Sequence, residues 1–240
     1  MKAMIFAAGR GERMRPLTDT CPKPLLKVRG RPLIVWHILN LVRGGITDIV
    51  INHAHLGHLL EQALGDGASF GARIAYSPEG TALETAGGVA QARALLGEAP
   101  FVAIAGDVFC PHFDFSQVSD ALKDEDMWGR AYAADKRDVA WLYLVKNPPH
   151  NPNGDFALDS FTIANEGERR YTFSGIGVYR MSMFDGVRAG DTAKLAPLLR
   201  EYAARGQVGG ELYPGDWTDV GTPERLGKLN APYAPYSSRN

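Results

Sequence analysis

The sequence has little cysteine and no long apolar segment. Its two cysteines, Cys21 and Cys110, are far apart, and each is followed by proline. This excludes a CxxC motif and the paired ligand spacing of a zinc site, and it suits a reducing compartment. No stretch is apolar over the length of a signal peptide or a membrane span. We therefore expect a cytoplasmic protein with no membrane partner.

Net charge is also nearly absent, at −1 at pH 7. Such a balance gives no overall field that would attract nucleic acid, so no nucleic-acid partner is expected. The charge is unevenly distributed, however. Residues 1–31 contain eight Lys or Arg and two acids, which makes this segment +6 and leaves −7 for the other 209 residues. An anion-binding segment near the N-terminus is therefore expected.

Several catalytic motifs are missing as well. The chain offers no Ser-His-Asp or Cys-His arrangement, and "FSGIG" at 173–177 is not the G-x-S-x-G turn of a hydrolase. His53, His55 and His58 lie close together, but no acid or cysteine in that stretch completes a metal site. The pattern favours a chance cluster over a zinc site.

What the sequence does contain is an alternation of strand and helix patterns over its first 110 residues. Helical apolar spacing separates four apolar segments that are typical of buried strands: "MKAMIFAA", "TDIVIN", "ARIAYSPE" and "FVAIAGDVF". This alternation predicts an α/β fold with a mostly parallel sheet that is covered by helices on both faces.

The pattern changes after about residue 125. Four segments without helices between them are typical of strands: "GRAYAAD", "AWLYLVKN", "DFALDSFTIA" and "YTFSGIGVYR". They predict a small antiparallel insertion or extension. Helical patterns then return, and Thr222 is expected to cap the last helix. No linker divides the chain, so a single domain over residues 1–240 is expected.

A glycine-containing loop, "AAGRGERMRPL" at 7–17, directly follows the first strand. Gly9 and Gly11 lack the third glycine of a dinucleotide loop, and the Lys-Ser/Thr end of a Walker loop is absent too. Arg13 adds positive charge, and the prolines of "PKP" stiffen the backbone around Lys23. Together these features favour a phosphate-binding loop over a solvated turn.

Two aspartates lie where a ligand of an α/β sheet is expected. Asp107 follows the strand "FVAIAG", and ligands bind outside the carboxyl ends of parallel strands. Asp219 lies in "WTDVGTPE", just before the last helix. Each has an ordinary structural explanation, as a turn residue or a helix-start acid. If the two meet in space, they suit Mg²⁺, which one or two carboxylates and substrate phosphates hold.

The small residues of "YSPEGTALETAGGV" at 76–89 permit close approach to a flat ligand. Glu84 is the unusual member of this segment. Its ionised carboxylate only accepts hydrogen bonds, so it could accept the ring N–H of uracil, although guanine also offers donors. It could equally be a helix-start acid.

These segments resemble the signatures of the sugar-1-phosphate nucleotidylyltransferases. "AAGRGERMRPLTDTCPKPLLKVRGRPLI" follows the family's N-terminal signature, and further matches occur in the expected order: "LETAGGV", "AGDVF", "FSGIGVYR" and "WTDVGTPERL". The resemblance covers nearly the whole chain. It implies a Rossmann-like three-layer sandwich with a nucleotide half over about 1–110 and a sugar half over about 111–230.

The resemblance also implies roles for individual residues. Arg13 and Lys23 match the catalytic cations, Arg13 at the triphosphate and Lys23 between the nucleotide and sugar phosphates. Asp107 and Asp219 match the aspartates that bind Mg²⁺. The implied nucleotide contacts are Ala7, Ala8, Gly9, Gly11, Glu84, Gly88 and Asp107. The implied sugar contacts are Gly154, Asp155, Ser174 and Gly175.

One family element is missing. Many members carry an E-K-P motif whose lysine holds the sugar phosphate, whereas this chain has only "EGERR" near that position. Arg169, Arg170 or Lys146 could substitute, and the sequence leaves the choice open.

The implied reaction joins a sugar 1-phosphate and an NTP to give an NDP-sugar and pyrophosphate. The sugar phosphate is largely ionised near neutral pH, with a second pKa of about 6, so it needs no general base. "INHAHLG", "YSPEG" and "NGDFAL" are similar to a subfamily of peptidoglycan recycling that uses UTP and N-acetylmuramic acid α-1-phosphate. Mannose 1-phosphate with GTP, and glucose 1-phosphate with dTTP or UTP, remain alternatives, and the oligomeric state is left open.

Two functions of other classes are also compatible with parts of the sequence. One is a non-catalytic regulatory subunit that binds a nucleotide-sugar. The retention of Arg13, Lys23, Asp107 and Asp219 counts against it. The other is a Rossmann oxidoreductase, which the missing third glycine disfavours.

Overall fold

A computed structural model describes residues 1–118 and 138–231. The predicted strand "GRAYAAD" lies outside these residues, as does nearly all of the C-terminal "APYAPYSSRN". The described strands are β1 (Lys2–Phe6), β2 (Lys27–Val28), β3 (Arg31–Pro32), β4 (Asp48–His53), β5 (Arg73–Pro78), β6 (Phe101–Ala105), β7 (Val108–Phe109), β8 (Ala140–Val145), β9 (Phe156–Asp159), β10 (Thr162–Ala164), β11 (Arg170–Tyr179), β12 (Val208–Leu212) and β13 (Thr218–Asp219). The described α-helices are α1 (Leu33–Arg43), α2 (Gly57–Leu64), α3 (Glu84–Gln91), α4 (Arg93–Leu96), α5 (Leu195–Ala204) and α6 (Pro223–Asn230).

Nine strands form one mixed sheet in the order β5-β4-β1-β6-β11-β8-β12-β10-β9. The first four are parallel, and β11 runs antiparallel to both of its neighbours β6 and β8. Strands β8 and β12 are again parallel, and β10 and β9 continue as an antiparallel pair. The predicted mostly parallel mixed sheet is therefore confirmed. The late strands extend this sheet rather than forming a separate layer.

Both faces of the sheet are covered because its central strands are apolar on both sides. In β1, Ala3 and Ile5 belong to one buried cluster, which α1 and α2 cover. Met4 points to the other face, into a cluster with side chains of α3 and α5. Full burial of side chains of this size contributes roughly 1.5–3 kcal/mol each. The result is the predicted three-layer α/β arrangement.

The strand order places a crevice at β1. From β1 the chain moves outward through β4 to β5 and then returns to β6 on the other side of β1. Ligands of open α/β sheets bind where the strand order reverses, outside the carboxyl ends of the strands. The loops after β1 and β6 carry the glycine segment and Asp107, so the topology brings these two motifs together.

The helix ends follow their local sequence. Helix α1 ends at Gly44, and the side chain of Thr222 accepts the backbone N–H of Arg225 at 3.3 Å to cap α6, as predicted. Helix α3 begins at Glu84, three residues before the glycine pair Gly87–Gly88. Among the described residues, no helix is both long and apolar enough to cross a membrane.

We expect His37, on α1, to make stability depend on pH. Burial lowers the pKa of His37 from 6.5 to about 4. The unfolded chain therefore binds a proton that the folded chain does not, and stability falls as the pH drops from 6.5 towards 4. The loss should reach about 3 kcal/mol in urea titrations across this range.

The control is His37→Leu, which cannot be protonated. Its free energy of unfolding should vary less with pH between 6.5 and 4 than that of the wild type. Burial raises the pKa of Asp138 to about 6, which acts in the opposite direction, but in both proteins alike. Parallel pH profiles for the two proteins would show that His37 has no such effect.

Candidate functional site

The crevice at β1 opens into a cleft of about 980 Å³. Most of the predicted site residues line it, although they come from both ends of the chain. These are Ala7, Ala8, Gly9, Gly11, Arg13, Lys23, Glu84, Asp107, Asp155, Ser174, Gly175 and Asp219. Two predicted contacts, Gly88 and Gly154, are not part of its lining.

The loop after β1 has a conformation that requires glycine at its turn. Gly11 has a φ of +70° and precedes a short 3-10 helix, Glu12–Met14. A Cβ at Gly11 would lie 3.0 Å from Cγ2 of Thr18, and the Thr18 hydroxyl donates to the Gly11 carbonyl at 2.9 Å. The loop is therefore held in one shape, with Arg13 on its short helix.

Two arginines of this loop are paired with acids of the same segment, and a third is not. Arg10 donates to Asp19 at 2.8 Å, and Arg15 pairs with Glu12 at 3.1 Å. Arg13 lines the cleft and makes no ion pair with any residue that the structure describes. It is therefore available to an anionic ligand.

Lys23 lies beside this loop, since a Cβ at Gly11 would be 3.4 Å from the Cβ of Lys23. Its ammonium is 2.7 Å from a carboxylate oxygen of Asp107, and the residue is only 9% exposed. A charge-assisted hydrogen bond of this length fixes both side chains. The structure thus joins two residues that are 84 positions apart and were predicted separately.

Asp219 is brought to Asp107 by a short antiparallel ladder. β13 pairs with β7, and the N–H of Val220 donates to the Asp107 carbonyl at 2.7 Å. The Asp219 carboxylate contacts the Arg225 guanidinium and lies 2.9 Å from Nε2 of His150. The sequence did not point to either of these partners.

The two aspartates suit a hard divalent cation in their chemistry. They offer carboxylate oxygens in one cleft, which Mg²⁺ prefers. Among the described residues there is no group of three or more metal-ligating side chains. Two carboxylates still fit Mg²⁺ that arrives on substrate phosphates, because those oxygens and water complete its shell.

Asn52, at the end of β4, also lines the cleft, and sequence reasoning missed it. Its Oδ1 accepts the Ala7 N–H at 3.0 Å, and its Nδ2 donates to Glu79 at 2.6 Å. The other oxygen of Glu79 accepts the Leu83 N–H at 2.8 Å. This network ties the glycine loop to the segment before α3. The signal in the sequence was a polar residue at the end of an apolar strand.

Gly88 packs against this hydrogen-bond network and does not line the cleft. A Cβ on Gly88 would lie 2.7 Å from Nδ2 of Asn52 and 2.7 Å from Oε1 of Glu79. The structure thus gives Gly88 a packing role, behind the residues that face the ligand space. The N–H of Ala7 is likewise bound to Oδ1 of Asn52 and is not available to a ligand.

Glu84 has an unusual backbone. Its φ is +63°, in the left-handed region that non-glycine residues rarely adopt. The side chain is exposed to the cleft and makes no hydrogen bond or ion pair with a described residue. A strained residue at a ligand cleft is a functional candidate, because strain of about 1–3 kcal/mol persists only where the surroundings impose it.

Two of the predicted sugar-side residues, Asp155 and Ser174, are hydrogen-bonded to neighbouring residues of the wall. The Asp155 carboxylate accepts the Phe173 N–H at 2.8 Å and the Asn151 amide at 3.1 Å. The Ser174 carbonyl accepts Nε1 of Trp217 at 2.8 Å. Asp155 therefore shapes the wall as well as lining it.

The glycines of this wall have conformational roles. Gly175 has a φ of +81° within a β11 bulge, and a Cβ there would lie 2.8 Å from the Ala105 Cβ. Gly154 has a φ of +63° in a turn, where a Cβ would lie 2.8 Å from the Tyr171 nitrogen. Gly154 is therefore a turn residue beside the cleft.

The candidates for the missing E-K-P lysine do not reach the cleft. None of Lys146, Arg169 and Arg170 lines it, and Arg170 is bound to Glu166 at 2.8 Å. Two other cations line it instead, Lys194 and Arg200, which belong to the start and middle of α5. The choice that the sequence left open among Lys146, Arg169 and Arg170 is therefore not resolved in favour of any of them, because none belongs to the cleft lining.

Comparisons with known proteins agree with this geometry. A family model described as nucleotidyl transferase matches residues 2–139. The chain is 52% identical over 235 residues to N-acetylmuramate alpha-1-phosphate uridylyltransferase of Neisseria meningitidis serogroup B, covering 96% of this chain and 97% of the relative. It is 28% identical to mannose-1-phosphate guanyltransferase beta-A of Xenopus laevis, covering 93% of this chain and 62% of that protein.

A solved structure shows the same fold. A crystal structure from Bacillus anthracis, described as a glucose-1-phosphate thymidylyltransferase, superposes with a TM-score of 0.80 at 24% identity and covers 96% of this chain and 94% of its own. The predicted Rossmann-like fold and the predicted enzyme class, a sugar-1-phosphate nucleotidyltransferase, are therefore confirmed. The chain belongs to the nucleotidyl transferase family, as the motifs at its N-terminus predict.

Proposed function

We propose that the chain transfers a uridylyl group from UTP to N-acetylmuramic acid α-1-phosphate, releasing pyrophosphate and forming the UDP-sugar. The observation that carries this proposal is the 52% identity, over nearly all of both chains, to an N-acetylmuramate alpha-1-phosphate uridylyltransferase. An activity of this kind belongs to peptidoglycan recycling in the cytoplasm. We also propose one domain, with residues 1–110 holding the nucleotide and 111–230 the sugar.

In this proposal, the reaction depends on positioning and charge rather than on a general base. Arg13 binds the triphosphate, and Lys23 leaves Asp107 to bridge the nucleotide and sugar phosphates. An ionised sugar phosphate attacks the α-phosphorus in line, so no proton has to be removed. Fixed cations beside the reacting phosphates stabilise the charge that develops there. The availability of Arg13 and the 2.7 Å contact of Lys23 support these roles.

Asp107 and Asp219 would hold Mg²⁺, which when bound neutralises phosphate charge and orients the oxygens. Both carboxylates already have partners in the protein, Lys23 for Asp107 and Arg225 with His150 for Asp219. These partners keep the two acids in place while no substrate is bound. Substrate phosphates that draw Lys23 away from Asp107 free that carboxylate for the ion.

The function is tested by measuring pyrophosphate release with Mg²⁺ and each pairing of an NTP with a sugar 1-phosphate. We expect the highest kcat/KM with UTP and N-acetylmuramic acid α-1-phosphate. EDTA should abolish the signal. Faster turnover of mannose 1-phosphate with GTP would favour the activity named for the Xenopus laevis relative. If no pair gives pyrophosphate release, a regulatory protein that only binds a nucleotide-sugar would be favoured.

Replacing Lys23 by Met should lower kcat/KM by about 10²–10³-fold, the usual effect of removing one donor that stabilises transition-state charge. The matched control is Lys228→Met, which removes a surface lysine paired with Glu224 on α6. It should leave the rate unchanged. Near-normal turnover by the folded Lys23→Met enzyme would exclude the proposed role of Lys23.

Glu84 is proposed to accept the ring N–H of uracil. In Glu84→Gly, relief of the left-handed strain should leave the free energy of unfolding unchanged or raise it by up to about 1 kcal/mol. Discrimination of UTP against CTP should fall at the same time, because cytosine carries a lone pair where uracil carries the N–H. Thermal melts and kcat/KM for both nucleotides measure the two effects.

Ser160→Gly provides the matched control. Ser160 also has a positive φ, of +54°, but lies in the exposed turn between β9 and β10. Ser160→Gly should change the free energy of unfolding in the same direction as Glu84→Gly does. It should leave the discrimination of UTP against CTP unchanged. Unchanged discrimination in Glu84→Gly would mean that the carboxylate does not read the base.

A further inference from the structure

Two cations of the cleft are not used by the reaction as proposed. Lys194 precedes α5, and Arg200 lies in its middle, and both line the cleft. Neither makes an ion pair with a carboxylate of the described residues, in contrast to Lys23 and Arg10. A pair of uncompensated cations in a concave site favours an anionic group on the ligand.

Arg200 is held by an aromatic ring. Its guanidinium carbon lies 5.2 Å from the ring centroid of Phe156, which is buried on β9 and also lines the cleft. A guanidinium over an aromatic face keeps the N–H donors at its edge available. Arg200 can therefore present a planar fork, which matches a carboxylate.

Two acids of this region are bonded to groups other than these cations. Asp155 is bonded to the Phe173 N–H and to Asn151, and Glu166 is paired with Arg170. Glu84 also lines the cleft but forms no ion pair with Lys194. The positive charge of Lys194 and Arg200 is thus left for a ligand.

The position of these cations indicates which anion they bind. The reacting phosphates have to lie beside Lys23 and the two aspartates, at the ends of β1, β7 and β13. Arg200 lies on the wall that α5 forms with Phe156 of β9. Lys194 lies beside the start of α3, since the carbonyl of the preceding Ala193 accepts the N–H groups of Ala86 and Gly87. N-Acetylmuramic acid carries a lactyl carboxylate on O3, across the sugar ring from its anomeric phosphate. A neutral sugar has no such group.

We propose that Lys194 and Arg200 bind the lactyl carboxylate of the sugar and thereby select an acidic sugar over a neutral one. This inference rests on the proposed function, since it concerns the same acceptor. Lys194 supplies a mobile point charge, and Arg200 supplies a fixed fork that Phe156 orients. The specificity site consists of one cation just before α5, a second within α5 and an aromatic support from the sheet.

The test compares two acceptors, each with UTP and Mg²⁺. N-Acetylmuramic acid α-1-phosphate and N-acetylglucosamine α-1-phosphate share the phosphate and the acetamido group and differ in the lactyl carboxylate. For Lys194→Gln and Arg200→Gln, kcat/KM with the muramic acceptor should fall by about 10–100-fold, the range for a lost hydrogen bond to a charged group. The rate with the glucosamine acceptor should stay the same.

A binding measurement separates recognition from turnover. Calorimetry should show weaker binding of UDP-N-acetylmuramic acid by the two variants, with unchanged binding of UDP-N-acetylglucosamine. Arg205→Gln is the matched control, because Arg205 follows α5 and pairs with Glu201 on the surface. It should behave as the wild type with both acceptors. Thermal melts check that each variant is folded.

Two results would overturn the inference. If kcat/KM falls equally with both acceptors, the two cations bind the shared phosphate. If kcat/KM falls with neither acceptor, the two cations do not take part in acceptor recognition. The wild-type enzyme decides the proposed function separately. If it turns over another substrate pair and not the muramic acceptor, the proposed function fails, and the lactyl site fails with it. If it prefers the muramic acceptor and the variants keep that preference, only the lactyl site fails.

Discussion

The site depends on the close approach of two parallel strand ends. The Gly106 N–H donates to the Phe6 carbonyl at 2.9 Å, and a Cβ at Gly106 would lie only 2.4 Å from that oxygen. Only glycine permits this contact between the ends of β6 and β1. It fixes the exit of the glycine loop after β1 next to Asp107, so that Lys23 can reach the Asp107 carboxylate.

The charges of Lys23 and of the two cleft aspartates, Asp107 and Asp219, are already paired with protein groups. Lys23 lies on Asp107, and Arg225 and His150 lie on Asp219. An isolated charge in such a partly buried place would be costly to desolvate, so each is neutralised by a partner. An anionic ligand that binds Lys23 would therefore have to replace the Asp107 carboxylate with its own oxygens.

Local patterns were enough to predict the strands of the parallel half, the helices and the glycine loop with its cations, whereas several residues of the cleft were implied only by the family resemblance. Apolar runs, glycine turns and capping residues depend only on neighbouring residues, so they can be recognised in a single sequence. The pairing of β8 with β12 was not predictable, because it joins segments more than 60 residues apart. The roles of Asn52 and Gly88 depend on a buried hydrogen-bond network, and Lys194 reaches the cleft only through the packing of α5.

The ladder between β7 and β13 joins Val108–Phe109 to Thr218–Asp219. During synthesis the N-terminal strands can pair early, since β1, β4, β5 and β6 all lie within the first 105 residues. Asp107 then has Lys23 as its partner, but Asp219 has not yet been made. Both acids come together only after residue 220 has left the ribosome. A chain that ends before β13 thus lacks the second carboxylate of the cleft.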